Sequence, residues 1–299
     1  MQELWYYLTT NAYLGSLTEF LEQMSIEIYD WTIVFALLFL TIELLDEGIS
    51  RRLSGERFLE TLSSLFTQVP YYFSEVIVFS AAVYSYFTIY EYIPWKMPEN
   101  TATFLLVLVM ADLTYYIEHV CLHKIRLLWL AHSVHHSSSV FNTATAFRFS
   151  VFDPIASAVF HLPLLLMGFN PIYIFAAEIL IQAYQFWIHN EMIGKLGPLE
   201  WIFNTPSHHR VHHGTDQGYL DKNFAGILII WDRMFGTFSE EKQLPTYGIL
   251  PVMNSKNPLK VQFAEFQRLS VDLRKSESVS DVAGYLFCPP GWQPAKRKD

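Results

Sequence analysis

Long apolar runs separated by short polar stretches dominate the first two thirds of the chain, and the last third is polar and broken by Pro and Gly. Five runs stand out, at 26–45, 69–90, 101–118, 151–168 and 171–188. A helix needs about 20 residues to cross the hydrocarbon core of a bilayer, and 17 at the low end, so each run predicts a membrane-embedded helix. The last two are joined by Gly168-Phe169-Asn170-Pro171, a turn sequence, and form a helical hairpin. His161 and Pro163 interrupt its first arm and leave open whether that arm crosses fully.

The pattern implies an all-α, polytopic integral membrane protein with about five embedded helices. Residues 1–25 form an N-terminal non-cytosolic segment, and 26–118 hold three transmembrane spans. Residues 119–150 hold two histidine motifs, 151–188 the membrane hairpin, and 189–238 His189 and a third motif. Residues 239–299 form a cytosolic C-terminal segment. Composition agrees. The 299 residues are 52% hydrophobic and 16% charged, with 24 Phe, 17 Tyr and 8 Trp and a mean hydropathy of +0.21. Soluble domains carry about 25% charged residues. A net charge of -9 without a basic stripe excludes nucleic acid as a partner. Met1-Gln2-Glu3-Leu4-Trp5 has no basic region and does not read as a cleaved signal peptide.

Basic residues orient the chain. With the N-terminus outside, all 20 Lys and Arg except Lys96 fall on the cytosolic side, as the positive-inside rule requires. This places the protein in a bacterial inner membrane or the endoplasmic reticulum. The tail Lys296-Arg297-Lys298-Asp299 reads as a basic cytosolic end rather than a retrieval signal.

The same orientation gathers ten of the 11 histidines at the cytosolic face. His119 and His123 stand four apart and share one helix face. His132, His135 and His136 follow, and His209, His212 and His213 repeat their spacing, with His208 beside them and His189 at the inner end of the fifth run. One zinc takes three or four ligands, so this many imidazoles implies two metal ions in a His-rich helical cap. Two irons can activate dioxygen and attack an unactivated C–H bond, which no side chain does alone, and zinc is a substitute at such nitrogen sites. An apolar substrate would reach the site through the bilayer. His208 is either a ligand or a residue behind one. His161, isolated in an apolar run, reads as a helix-packing residue. Cys121 reads as a small buried apolar residue rather than a soft ligand, and Cys121 and Cys288 do not suggest a disulfide.

An ionisable group inside a span is a functional candidate. Asp112 lies two turns before His119 on the same face, which suits a carboxylate that orients a liganding imidazole. Glu178 either approaches His189 past Gln185 or hydrogen-bonds between helices.

The histidine motifs, preceded by Asp112-x-x-Tyr115-Tyr116, resemble the fatty acid hydroxylase/sterol desaturase superfamily. Asn204 to Gly214, Gln185 to His189, Leu196 to Glu200, Asp221 to Gly226, Ile229 to Phe238 and Gly291-Trp292 resemble its alkylglycerol monooxygenase branch. The resemblance implies a membrane di-iron monooxygenase that uses O2 to hydroxylate the ether-bearing carbon of a lipid, with tetrahydrobiopterin as reductant. Two residues depart from the pattern. Val120 replaces an Arg, and Lys124 stands where an acidic residue is expected, which bears on substrate and reductant more than on metal. The residues alone leave the electron donor open, with an electron-donor protein as a candidate partner. The alternative on the same core is a fatty acyl or sterol hydroxylase or desaturase. A different class is a membrane metal carrier or sensor, which should place ligands along a route through the spans rather than at one face.

The charge pattern generates a prediction. A reporter fused after Asp299 is expected in the cytosol and one at Lys96 on the opposite side, read by compartment-restricted labelling. Cytosolic access to Lys96 would overturn the five-span topology.

Overall fold

The computed structural model describes residues 14–253 and 255–294. The first half of the expected 1–25 segment and the basic tail 296–299 lie outside the described residues. Among those described, the regular structure is almost all helical, with no strand beyond two isolated bridges.

Four helices are long and apolar enough to cross a membrane by length and composition. They are α1 (Leu14–Ile49), α2 (Gly55–Tyr92), α3 (Thr101–Lys124) and, later in the chain, α7 (Pro171–Ile188). Each start has a local cause. Ser54, Asn100 and Asn170 accept hydrogen bonds from the amides of Arg57, Thr103 and Ile172 and so satisfy amides that no helical carbonyl reaches. Pro171 then occupies the first turn of α7, where its missing N–H costs nothing. α1 begins twelve residues before the expected run at 26, so 14–25 continue that helix rather than form a separate segment.

The fifth run differs from a single span. It is two short helices, α5 (Asp153–Phe160) and α6 (Leu162–Leu166), with His161 at the break. Pro163 supplies no amide there, and the two pieces together are too short for the span criterion that the other four meet. The hairpin nevertheless reaches the far end of the bundle. The Met97 amide donates to Gly168 O (2.9 Å), Trp95 Nε1 to Leu166 O (3.0 Å) and Asn170 Nδ2 to Glu99 Oε1 (2.8 Å).

The bundle core centres on α7. Ala176, Ala177 and Ile181 meet Val107 and Ala111 of α3, and Leu21 and Tyr86 close the cluster. Small side chains matter here because lipid offers no hydrophobic force between helices, so close packing must hold them. The outward faces of α1 and α2 stay apolar: Trp31, Phe35, Phe66, Phe73 and Ile77 are all more than half exposed.

A polar cap closes the other end. α4 (Arg126–His136) follows α3, and a 3-10 turn, Thr143–Phe147, wedges between α1 and α2. Glu43 of α1 accepts the Thr143 amide (2.8 Å) and Thr61 of α2 accepts from Asn142 Nδ2 (2.9 Å). After α7 come a second 3-10 turn (Gly197–Trp201), α8 (Pro206–His212) and α9 (Ile230–Phe235). The C-terminal α10 (Pro258–Arg274) and α11 (Val279–Phe287) buttress α4 through Leu130, Leu269 and Tyr285 and an Arg126–Asp272 ion pair at 2.7 Å.

The hairpin tip makes a stability prediction. Gly168 has φ 93°, and a Cβ there would collide with the Trp95 carbonyl. Gly168→Ala is expected to cost about 2 kcal/mol and to lower the thermal midpoint of the solubilised protein. Gly194→Ala, with open space around it, should not move that midpoint. Equal midpoints would show that the tip does not hold the hairpin.

Candidate dimetal centre

Nine buried histidines fall into two groups, and within each the candidate ligand nitrogens lie within 4.8 Å of one another. The first is His119, His123, His132, His136 and His212. The second is His135, His189, His209 and His213. The two H-x-x-H-H motifs are interleaved between them. On a helix, residues four apart nearly superpose and the one at three is rotated off that line. His132 and His136 therefore serve the first group and His135 the second, while His209 and His213 serve the second and His212 the first. The groups abut, with the rings of His136 and His213 stacked at 4.3 Å.

Backbone carbonyls set the tautomers. His119 Nδ1 donates to Phe224 O (2.8 Å), His212 Nδ1 to Lys222 O (2.9 Å), His189 Nδ1 to Gln185 O (2.7 Å) and His135 Nδ1 to Arg148 O (3.3 Å). A carbonyl only accepts, so the outer nitrogen of each ring carries the proton. Burial, then neighbouring imidazoles, pushes His132, His135, His136, His209, His212 and His213 well below the usual histidine range. Burial holds His189 at about 4. These rings are neutral at physiological pH, and the four whose Nδ1 donates to a carbonyl present the lone pair of Nε2.

Those lone pairs face one another. His189 Nε2 lies 3.2 Å from His135 Nε2, although both rings carry their proton on Nδ1. His123 Nε2 and His212 Nε2 have no hydrogen-bond partner. Nitrogens in this state repel unless a cation lies between them, so the donor set fits metal ions.

The Asp112 carboxylate touches no imidazole, contrary to the expected role. It accepts from the amides of Ile227 (2.6 Å) and Leu228 (3.1 Å) and from Trp231 Nε1 (2.8 Å). Asp232 does the same one turn of loop away, accepting from the Phe224 and Ala225 amides, both at 2.8 Å. Two buried carboxylates thus pin the loop whose Lys222 and Phe224 carbonyls aim His212 and His119. Gly226 is needed where this loop crosses α3, since a Cβ there would meet Asp112 Oδ1 at 2.6 Å.

Other expected positions also differ. His208 lies outside both groups; its ring faces Glu200 at 3.9 Å and Phe238 at 5.3 Å. Glu178 does not approach His189 but reaches His161 Nδ1 at 3.1 Å, the interhelical alternative. His161 and Cys121 stay apart from the metal-competent groups. Lys124 pairs with Asp221 at 2.5 Å, and the other oxygen of Asp221 lies 3.5 Å from His123 Nδ1, so an acid reaches that histidine from a distant loop.

Arg148 and Glu60 carry no motif and were not expected at the centre. Arg148 is fully buried, with Nη1 3.2 Å from Glu60 and Nε donating to Val134 O (3.1 Å) and Ser137 Oγ (2.9 Å). Burial lowers its guanidinium to about 10. Its own carbonyl receives His135. A lone Arg in a stretch otherwise apolar or hydroxylic was the only signal.

Beneath the histidines, a cavity of about 660 Å³ runs into the bundle. His119, His132, His135, His189 and His209 line one end, and Val69, Phe73, Phe79 and Ile179 line walls nearer the lipid-facing surface.

The loop clamp makes a prediction. Asp112→Leu leaves three donors without an acceptor and is expected to lower metal affinity by roughly 10–100-fold. Trp231→Phe removes one donor and should cost less. Metal per chain across a chelator series checks both, and wild-type retention in Asp112→Leu would show that the loop holds without it.

Residues 104–237, which include every one of these histidines, match the fatty acid hydroxylase family. The chain is 39% identical over 243 residues to an alkylglycerol monooxygenase of Danio rerio, covering 80% of this chain and 53% of that protein. It is 37% identical over 267 residues to the Homo sapiens alkylglycerol monooxygenase, covering 86% and 59%. An ornithine lipid hydroxylase of Rhizobium tropici is 32% identical over 133 residues, covering 44% and 40%. The chain thus spans little more than half the length of the first two relatives. No solved structure matches it. The segment that supplies all of the clustered histidines, residues 104–237, is thus of the fatty acid hydroxylase family.

Proposed function

We propose that the chain is a membrane di-iron monooxygenase that uses O2 to hydroxylate a lipid, with the ether-bearing carbon of an alkylglycerol as the favoured target. One observation carries the reading: two groups of buried imidazoles, members of both lining a largely apolar cavity within the helical bundle. Four nitrogens satisfy a tetrahedral zinc, and the five of the first group exceed it, which favours iron with zinc as a substitute.

His119, His123, His132, His136 and His212 would hold one ion and His135, His189, His209 and His213 the other, with His208 outside. Bound there, the iron pair supplies activation of dioxygen, using two electrons and two protons to place one oxygen atom on carbon and release the other as water. The protein's own part is positional. The carbonyls of Lys222, Phe224, Gln185 and Arg148 fix the tautomer and aim the imidazoles inward, while burial keeps them neutral. Phe147, Phe149 and Phe186 wall the cavity against water beside the histidines. A hydroxyl placed on an ether carbon forms a hemiacetal, which breaks to an aldehyde and an alcohol without further help from the protein. Tetrahydrobiopterin, by likeness to the relatives' branch, or an electron-donor protein supplies the electrons. The histidine end faces the cytosol, where the basic loops lie.

The ornithine lipid hydroxylase relative supports a second reading, hydroxylation of a lipid without cleavage. The products separate the two: a free aldehyde in one, a lipid that keeps all its carbons in the other.

The interleaving makes the test. Purified protein is expected to hold about two irons per chain. His135→Ala and His212→Ala, each the crossing member of its motif, should each lose at least one ion and bring oxygen-dependent lipid turnover to background. Full iron and turnover in both variants would sink the assignment, and turnover without oxygen would sink the oxygenase.

A further inference from the structure

The cavity is apolar over most of its surface but not at the level just below the histidines. Glu118, beside His119 on α3, and Gln185, one turn before His189 on α7, both line it there. Both are at least nine-tenths buried. Glu118 Oε2 has no hydrogen-bond partner, and neither does Gln185 Oε1 or Nε2. Polar groups shut away from water are normally paired, and three unpaired atoms on one cavity point to something that fills it.

The rest of the lining says what kind of group that is. Glu75, Glu118, Asp153 and Glu178 are among the lining residues, and no Lys or Arg is. A phosphate would bring its charge into this buried lining with no lysine or arginine among the described lining residues to pair with it. An ammonium would suit the carboxyls but offers no acceptor to the Gln185 amide nitrogen. A hydroxyl both donates and accepts, and so can satisfy the unpartnered atoms of either residue. His161, 3.9 Å from Glu118 and 3.1 Å from Glu178, holds the acidic side of the collar in place from the break between α5 and α6. The kink that shortens the fifth run is therefore where the polar collar is buttressed.

We propose that Glu118 and Gln185 form a specificity collar that takes the uncharged, hydroxyl-bearing head of a lipid and rejects a phosphorylated one. The collar sets the carbon next to the head against the histidines, while the alkyl chain follows the α2 wall past Phe79 and Phe73 toward the bilayer. The proposal rests on the lipid reading above only in taking a lipid as the occupant.

The test is equilibrium binding to the full chain, metal-loaded, in detergent and without oxygen. Three probes of equal chain length are used: a monoalkylglycerol, its phosphate ester and an alkylamine. Wild type is expected to bind the monoalkylglycerol at least about tenfold tighter than either of the others. Gln185→Leu leaves the backbone carbonyl used by His189 intact and should weaken that binding by about tenfold at unchanged metal content. Glu118→Gln should weaken it less and narrow the margin against the phosphate ester. Equal wild-type affinity for the phosphate ester or the amine overturns the proposal without recourse to any variant. Unchanged binding in both variants overturns it as well. Because no oxygen is present, absent turnover elsewhere would count against the oxygenase reading and leave this result standing.

Discussion

Crowded lone pairs are the constraint on which this structure turns. Neutral imidazoles are brought so close that Nε2 of His189 and Nε2 of His135 lie 3.2 Å apart with no proton between them. The arrangement is stable only with positive charge at its centre, and it is reached only if every ring is held from behind. Much of the cap exists to do that. Four backbone carbonyls take the outer N–H groups, and each of those carbonyls sits on a segment that is itself pinned.

The pins come from far away in sequence. Asp112, inside a membrane helix, and Asp232, at the start of α9, together accept from four amides of one loop, and that loop presents two of the four carbonyls. Arg148 spans Glu60, Val134 and Ser137 and presents a third. Buried charges like these cost desolvation energy, which their hydrogen bonds and ion pairs offset. They hold a centre rigid enough that its ligands do not relax outward before an ion arrives.

Below the centre the bundle answers a different demand. On the proposed function, a site that takes lipid must be dry and open to the bilayer and still offer polar groups where the head of the lipid stops. The α5–α6 break meets both needs. It shortens one arm of the hairpin, leaves room for the cavity and sets His161 between two carboxylates, where a continuous helix would have closed the space.

Four of the five expected embedded helices, their order and the gathering of histidines that could hold metal were legible in the chain because they depend on local periodicity. Apolar runs of a given length predict helices, and histidines at 0, 3 and 4 must share a face. The grouping of those histidines was not legible, since the residue at position three turns toward the other ion only when a second helix stands opposite. For the same reason spacing put His208 with its neighbours, although its ring packs against Glu200 and Phe238 instead. Asp112 was recognisable as unusual, because a carboxylate in a span needs a reason. Its partners were not, because amides of residues 227 and 228 carry no sequence signature. Arg148 and Glu60 escaped notice for that reason too. Local spacing is written in the chain, whereas which donor meets which acceptor across more than a hundred residues is decided only when the helices pack.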